Sequence, residues 1–439
     1  MSTSLRLISI ALSGAVLLGC SGSDSTPPSD GGRVAQTYGE GWSAVHADAG
    51  NSDYSPVRGA RNLKLAWQRV FTGNVNLGPT SDPWGQTYVT VNALVGCALY
   101  ALDSATGETV WCSEEVDRFA AISSPLIDRE GNLYLADGSA MHAFRRDGTV
   151  LWETPIQGVP LSAQFTAQGN VVFVTHIGYI YLLDRRSGAN LVEPLALDPG
   201  ATWNPALGVG ACATGRPECP SANTPAIDPA TGRFIFTFWT PGAQTSGIRA
   251  VQVSEGAAPS LTPLWTNESL PEGSASSPTL SADGSRVYVT DNAGSLHALS
   301  TRSGDMIWSF EIGYPAAGSP SRSPEGLIMP AGGRLGAVMA IADRGDHAEL
   351  AWRNDTLING GISTQAAGGL AYVTAFGAIN ELVVVDTRDG TELDREPLIG
   401  VTGFTVGTTV GLDGTVYVPA FLGELFAFRP DTGVAEGTR

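Results

Sequence analysis

Short apolar runs of four or five residues, separated by Gly, Asp, Asn and Ser, return along the chain in one fixed order. The clearest copy lies between Ser123 and Trp152. Ser124-Pro125-Leu126-Ile127 predicts a short strand, Asp128 to Asn132 a turn, and Leu133-Tyr134-Leu135-Ala136 a second strand. Asp137-Gly138 turns the chain again, Met141-His142-Ala143-Phe144 is the third strand, and Asp147-Gly148 leads into a fourth that carries Trp152. Glycine suits such hairpin turns because it adopts positive φ at no steric cost. The same order runs from Ser277 to Trp308, with Val287-Tyr288-Val289-Thr290 second, Leu296-His297-Ala298-Leu299 third and Ser303-Gly304 before the last strand. Another copy ends at Trp111, after Tyr88-Val89-Thr90-Val91, Leu99-Tyr100-Ala101-Leu102 and Thr106-Gly107.

Weaker copies fill the intervals 161–191, 224–265, 318–352 and 362–393, the last with Leu393 in the tryptophan place. The final copy has Val416-Tyr417-Val418-Pro419 and Glu424 to Phe428, and then lacks a fourth strand. Leu63 to Val70, with Trp67, is a fourth strand with no first three before it. Ring closure accounts for both: the N-terminal strand completes the sheet begun by the C-terminus, so no edge is left open. The chain is therefore predicted to be all-β, an eight-bladed β-propeller of four-stranded antiparallel blades over residues 42–439. Adjacent tryptophans in the well-kept copies recur 41 to 44 residues apart, the length of a four-stranded unit with short turns. Two stacked sheets would not require that period.

Nearly unbroken apolar rows such as Leu99 to Leu102 predict strands covered on both faces, as stacked blades demand. Trp67, Trp111, Trp152, Trp265, Trp308 and Trp352 read as packing residues that lie over the Thr-Gly or Asp-Gly turns and lock blade to blade, not as a ligand platform. Proline after serine at Pro125, Pro278 and Pro320 fits the start of an inner strand, where an N–H can be spared.

Composition supports this picture: 54 Gly, 27 Pro and only 15% charged residues suit many short strands joined by tight turns. With 43 acidic against 25 basic residues the net charge is −18, which argues against nucleic acid and against attraction to anionic lipid. Residues 1–19 read as a signal peptide, with Arg6 before the apolar run Leu7 to Leu18. Leu17-Leu18-Gly19-Cys20 resembles the lipobox of bacterial lipoproteins, which implies lipidation at Cys20 and attachment to a bilayer. Residues 20–41, rich in Ser, Gly, Pro and Asp, predict a flexible tether. Four further cysteines in an oxidising compartment predict the disulfides Cys97–Cys112 and Cys212–Cys219.

Ala101-Leu102-Asp103-Ser104-Ala105-Thr106-Gly107-Glu108-Thr109-Val110-Trp111 resembles the tryptophan-docking motif of pyrroloquinoline-quinone-type propellers, and the segments ending at Trp152 and Trp308 are similar to it. That family holds quinoprotein alcohol and sugar dehydrogenases, which bind the quinone and calcium in the central channel. It also holds non-enzymatic scaffolds, among them the lipoprotein of the outer-membrane barrel-assembly machinery. The adjacent cysteines of the large alcohol dehydrogenases are missing, since Cys97 and Cys112 are predicted on different strands. Polar residues in the expected ligand-face turns, Asp137, His176, Asp291 and Asn292, form no cluster in sequence, and His142 and His297 read as packing residues. No catalytic, cofactor or metal residue is assigned. The resemblance implies a non-catalytic, lipid-anchored envelope scaffold with protein partners, in the outer membrane facing the periplasm or the cell surface, with outer-membrane protein assembly as its specific version. A quinone-dependent dehydrogenase and a surface polysaccharide-binding module are the competing expectations.

Overall fold

The computed structural model describes residues 37–201, 209–333 and 336–432. The expected signal peptide, Cys20 and the tether up to residue 36 lie outside the described residues. Eight sheets follow one another, and seven are built from consecutive segments: 80–113, 126–155, 164–196, 226–270, 279–311, 321–358 and 364–397. We number these blades 1 to 7. Blade 8 joins Thr409–Val410, Val416–Pro419 and Glu424–Pro430 to the N-terminal strand Leu63–Val70. Trp67 stands opposite Ala427 and Gln68 opposite Phe426, which is the predicted closure.

Burial follows strand position. In blade 2 the second and third strands, Leu133–Ala136 and Ala140–Phe144, are buried throughout, whereas the fourth, Val150–Pro155, is mostly exposed. Apolar clusters accordingly lie between neighbouring blades. Tyr288, Ala298 and Trp308 of blade 5 meet Ile328, Met339 and Ile341 of blade 6, and Trp67, Leu425 and Ala427 of blade 8 meet Val89, Val91 and Leu102 of blade 1. The core is thus a series of thin layers, so chain length is not limited by the growth of one core.

Each recurrent tryptophan follows a one-residue bulge in its strand and faces a small alanine, as Trp111 faces Ala101 and Trp308 faces Ala298. Its indole N–H then donates into the next blade: Trp67 to the Ser104 carbonyl at 3.1 Å, Trp111 to Arg146 at 2.8 Å, Trp352 to Thr387 at 2.7 Å. Glycine is required beneath the ring. Gly107 has φ of +73°, and a Cβ there would come within 2.6 Å of Trp67. Gly148, Gly188, Gly304 and Gly390 stand in the same relation to Trp111, Trp152, Trp265 and Trp352. Trp308 differs, donating to the Asp343 carboxylate at 3.2 Å.

Two sequence assignments are corrected. In blade 7 the bulge falls at Leu393, so Asp394, opposite Val384, occupies the tryptophan register. Asp394 accepts the Leu63 N–H at 2.7 Å and links blade 7 to blade 8 by a carboxylate instead of an indole. The tether assigned to 20–41 ends early, because Tyr38 is buried and the Gly39 N–H donates to the Ile127 carbonyl at 2.9 Å. Both cysteine pairs are bonded: Cys97–Cys112 joins the third-strand entry to the fourth strand of blade 1, and Cys212–Cys219 closes a loop before blade 4. Among the described residues the only helices are short 3-10 turns, and none is long and apolar enough to cross a membrane.

Replacing Trp308 with alanine removes a buried indole and is expected to cost about 3–5 kcal/mol. Gly107→Ala, which alters no polar group, is expected to cost about 1–3 kcal/mol through backbone strain and collision with Trp67. Urea unfolding followed by tryptophan fluorescence checks both, and a neutral Gly107→Ala would contradict the docking geometry.

Candidate functional site

The first strand of each blade lies innermost, and its free edge faces the central channel. An N-terminal segment, residues 38–53, fills that channel. Carbonyls of Trp42, Ser43, Ala49, Gly50, Ser52 and Asp53 accept the N–H groups of Ser81, Ile127, Ile227, Leu280, Arg322 and Gln365 at 2.8–3.0 Å. The Tyr38 hydroxyl accepts the Phe165 N–H at 3.0 Å. These seven donors are the same position, the second pairing residue of the inner strand, in blades 1 to 7. In blade 8 the equivalent Val410 instead belongs to the apolar cluster containing Trp42. Beyond Asp53 the chain continues as a strand, Tyr54–Arg58, parallel to the inner strand of blade 7, and makes that sheet five-stranded.

Such a path requires unusual backbone. Ala47, Asn51 and Asp53 have φ of +71°, +56° and +45°. Left-handed geometry in non-glycine residues costs energy and persists where the surroundings over-determine it. Asn51 shows how: its Nδ2 donates to the Thr224 and Pro278 carbonyls at 3.1 and 2.9 Å, and its Oδ1 accepts from Gln164 Nε2 at 3.0 Å. Gln164 Oε1 in turn accepts the Tyr38 hydroxyl at 2.6 Å.

The most reactive-looking side chains also lie on this segment. His46 Nδ1 is 3.1 Å from Asp53 Oδ1, and His46 Nε2 is 3.0 Å from Ser277 Oγ. Ser319 Oγ lies 3.1 Å from His46 Nδ1 and donates to Asp53 Oδ2. Connectivity of this kind, Ser–His–Asp, activates a nucleophile only if an electrophile can reach the hydroxyl with oxyanion donors beside it. Here Ser277 and Ser319 are completely buried, and His46 and Asp53 nearly so. The cluster instead fastens the segment to blades 5 and 6. Burial raises the Asp53 carboxyl above its ordinary range, against the opposing pull of His46 and the Ser319 hydroxyl.

The polar residues singled out in the sequence are not brought together. Asp137 pairs with His142 at 3.0 Å in blade 2, and Asp291 with His297 at 2.7 Å in blade 5. These histidines are therefore hydrogen-bond partners of the turn aspartates as well as packing residues. Burial disfavours the Asp137 carboxylate, yet the bonds from His142, Ser139 N–H and Ala140 N–H outweigh it and hold the group well below the usual range. Asn292 donates to the Thr214 and Glu272 carbonyls. His176 is buried, which pushes it down to about 4, and its Nδ1 accepts the Val159 N–H. His46, Asp53 and their serines went unassigned because 231 residues separate His46 from Ser277 and 273 separate it from Ser319. The repeated Ser-Pro step at Ser277-Pro278 and Ser319-Pro320 was the available signal, since its serine hydroxyl points inward at this point of the ring.

A quinone with calcium in the channel is the cofactor arrangement implied for the enzymes of this fold. The residues present do not fit it. Inner-strand donors of blades 1 to 7 are taken by the chain itself, and among the described residues no group of three His, Cys, Asp or Glu side chains could hold a metal ion.

A profile of the family described as outer membrane protein assembly factor BamB matches residues 16–192 and 226–438. Protein Rv3035 of Mycobacterium tuberculosis is 32% identical over 420 residues, covering 94% of this chain and all of that protein. BamB from Moraxella catarrhalis superposes with a TM-score of 0.58 at 15% identity, over 86% of this chain and 99% of that one. Quinohemoprotein alcohol dehydrogenase from Comamonas testosteroni gives 0.62 at 14% identity, over 91% and 83%. At such identities both structures show the fold alone.

A carboxyl that holds its proton more tightly when folded adds stability at low pH, and this is lost as pH rises through the folded value. Asp53→Asn, neutral throughout, is therefore expected to gain in melting temperature relative to the parent protein as pH rises from 4 to 7. Parallel pH profiles for the two proteins would contradict the assignment. His46→Ala, which strands buried partners, is expected to cost about 1–3 kcal/mol in urea unfolding.

Proposed function

The chain belongs to the family of outer membrane protein assembly factor BamB, and on that premise we propose that it is a non-catalytic scaffold of the bacterial envelope that binds other proteins. The observation that carries this reading is the filled channel. Binding by a propeller whose axis is occupied must use its outer faces, where loops differ from blade to blade. A scaffold needs a rigid ring and exposed tips, and it needs no reachable nucleophile or cofactor pocket.

In the same reading the mature protein is held at a bilayer through a lipid on Cys20, in the outer membrane, and takes part in assembling outer-membrane proteins. The lipobox-like Leu17 to Cys20 and the family's description support that part. An acidic net charge of −18 supports attachment through a lipid over adsorption to anionic headgroups. A quinone-dependent dehydrogenase has the shared fold in its favour, but it would require residues 38–53 to leave the channel.

Two measurements test the proposal together. Purified protein incubated with pyrroloquinoline quinone and calcium is expected to show no bound-quinone absorbance and no dye reduction with alcohols or sugars. Affinity purification from native membranes, after mild crosslinking, is expected to recover components of outer-membrane protein assembly. Quinone-dependent turnover, or recovery of glycan alone, would overturn the scaffold reading.

A further inference from the structure

The turn between second and third strands and the connection between successive blades share one face of the ring. On most blades this face exposes no large apolar residue; the exceptions are blade 1, where Leu94 and Val95 are exposed in the turn, and blades 7 and 8, where the exposed residues are aromatic as well as aliphatic. Phe376 and Ile379 in the blade 7 turn, Ile399 and Phe404 in the connection to blade 8, and Phe421 and Leu422 in the blade 8 turn are all exposed, from 40% for Phe376 to 60% for Phe404. Phe376 stacks on Phe404 with centroids 5.8 Å apart. The Phe421 N–H donates to the Phe404 carbonyl at 3.0 Å, and Asn380 Nδ2 to the Gly403 carbonyl at 2.7 Å, so the connection is pinned between the two turns. A fixed, contiguous group of this kind differs from scattered surface apolar residues, and such patches mark interaction sites.

Electrostatics narrows the partner. Glu424 follows Leu422-Gly423 and stands opposite Val70 at the end of the blade 8 outer strand. Its Oε2 is shielded from solvent with no hydrogen-bond partner among the described residues. The neighbouring cation, Arg69, is committed to the Gly107 carbonyl and the Thr109 hydroxyl at 2.7 and 2.6 Å. A buried carboxylate oxygen without a donor is costly and favours an incoming cation. The whole chain's charge of −18 acts in the same direction. Chain entry argues against a bilayer as occupant: Thr37 lies against Arg129 and Gly169, in turns between first and second strands, on the opposite face of the ring.

We propose that the apolar face of blades 7 and 8 docks an apolar segment of a partner protein, with a lysine or arginine of that segment paired to Glu424. This rests on the scaffold reading and names its docking surface. Aromatic anchors in the centre and a single charge at the rim form the usual division of labour in a protein interface.

The test pans the full mature chain against a phage-displayed library of linear peptides. Enriched peptides are synthesised with a fluorescent label, and affinities are read by anisotropy. Peptides with an apolar core and a flanking Lys or Arg are expected. Phe404→Ser with Leu422→Ser should weaken them at least 10-fold, with Val110→Ser, at an exposed outer-strand position of blade 1, as the control. Glu424→Gln should weaken basic-flanked peptides several-fold and leave their Lys→Ala versions unchanged. Melting temperatures verify that each variant folds. Enriched peptides indifferent to the patch variants would overturn the docking surface and leave the scaffold reading standing. Failure to enrich any peptide would overturn both. Concentration-dependent dimerisation in sedimentation velocity, or binding to phosphatidylethanolamine–phosphatidylglycerol vesicles, abolished by the patch variants would overturn the partner in favour of a second copy or of lipid.

Discussion

Eight sheets set around one axis leave eight inner edges, each with backbone N–H groups that no strand of its own blade can satisfy. Everything distinctive about this protein follows from how that constraint is met. The chain spends sixteen residues before its first blade strand on a path that meets seven of the eight edges, ending in a short parallel strand on blade 7. The left-handed residues Ala47, Asn51 and Asp53 are the local cost of following a ring instead of a line. Solvent could satisfy the same donors, so the plug does more than remove a desolvation problem. It ties blades 1 to 7 to one continuous segment, while Leu63–Val70 closes blade 8 a few residues later.

Between blades the logic is different. There the layers are apolar, and at five of the eight junctions specificity comes from an indole reaching over a glycine of the next turn. A glycine in that turn serves two purposes, positive φ and close approach, so neither the ring nor the turn can change alone. Blades 3 and 7 lack the tryptophan, and at blade 7 a carboxylate takes over by accepting a backbone N–H from the closing strand. Among the described residues this junction lies between the one five-stranded sheet and the one blade built from both ends of the chain, within which pairing of Leu63–Val70 with Glu424–Pro430 closes the ring.

Function separates from fold at the axis. Alcohol dehydrogenases and assembly factors share this architecture, and resemblance of blades does not distinguish them. In this chain residues 38–53 occupy the channel. A serine–histidine–aspartate connection is present there with all of its members sealed among the inner strands. It illustrates that hydrogen-bond order alone is weak evidence for catalysis, and that accessibility decides. In the scaffold reading recognition belongs to the tips, where blades 7 and 8 carry exposed aromatic residues and Glu424 has one carboxylate oxygen without a partner among the described residues.

Local order was readable from residues alone. The period of the tryptophans, the Asp-Gly and Ser-Gly turns and the orphan strand at Trp67 together specify blades, count and closure, because each is a short-range pattern imposed by strand alternation and turn geometry. The register of blade 7 is not legible at Leu393, since a bulge shifts pairing by one residue and leaves no composition mark. The channel segment was invisible for a stronger reason. Residues 38–53 have no period, and their partners are the inner strands of seven blades, scattered from Ser81 to Gln365. His46 and Ser277 meet only once the ring has closed. Backbone edges created by the fold chose which residues fill its axis, and tertiary geometry alone brings those edges to one point.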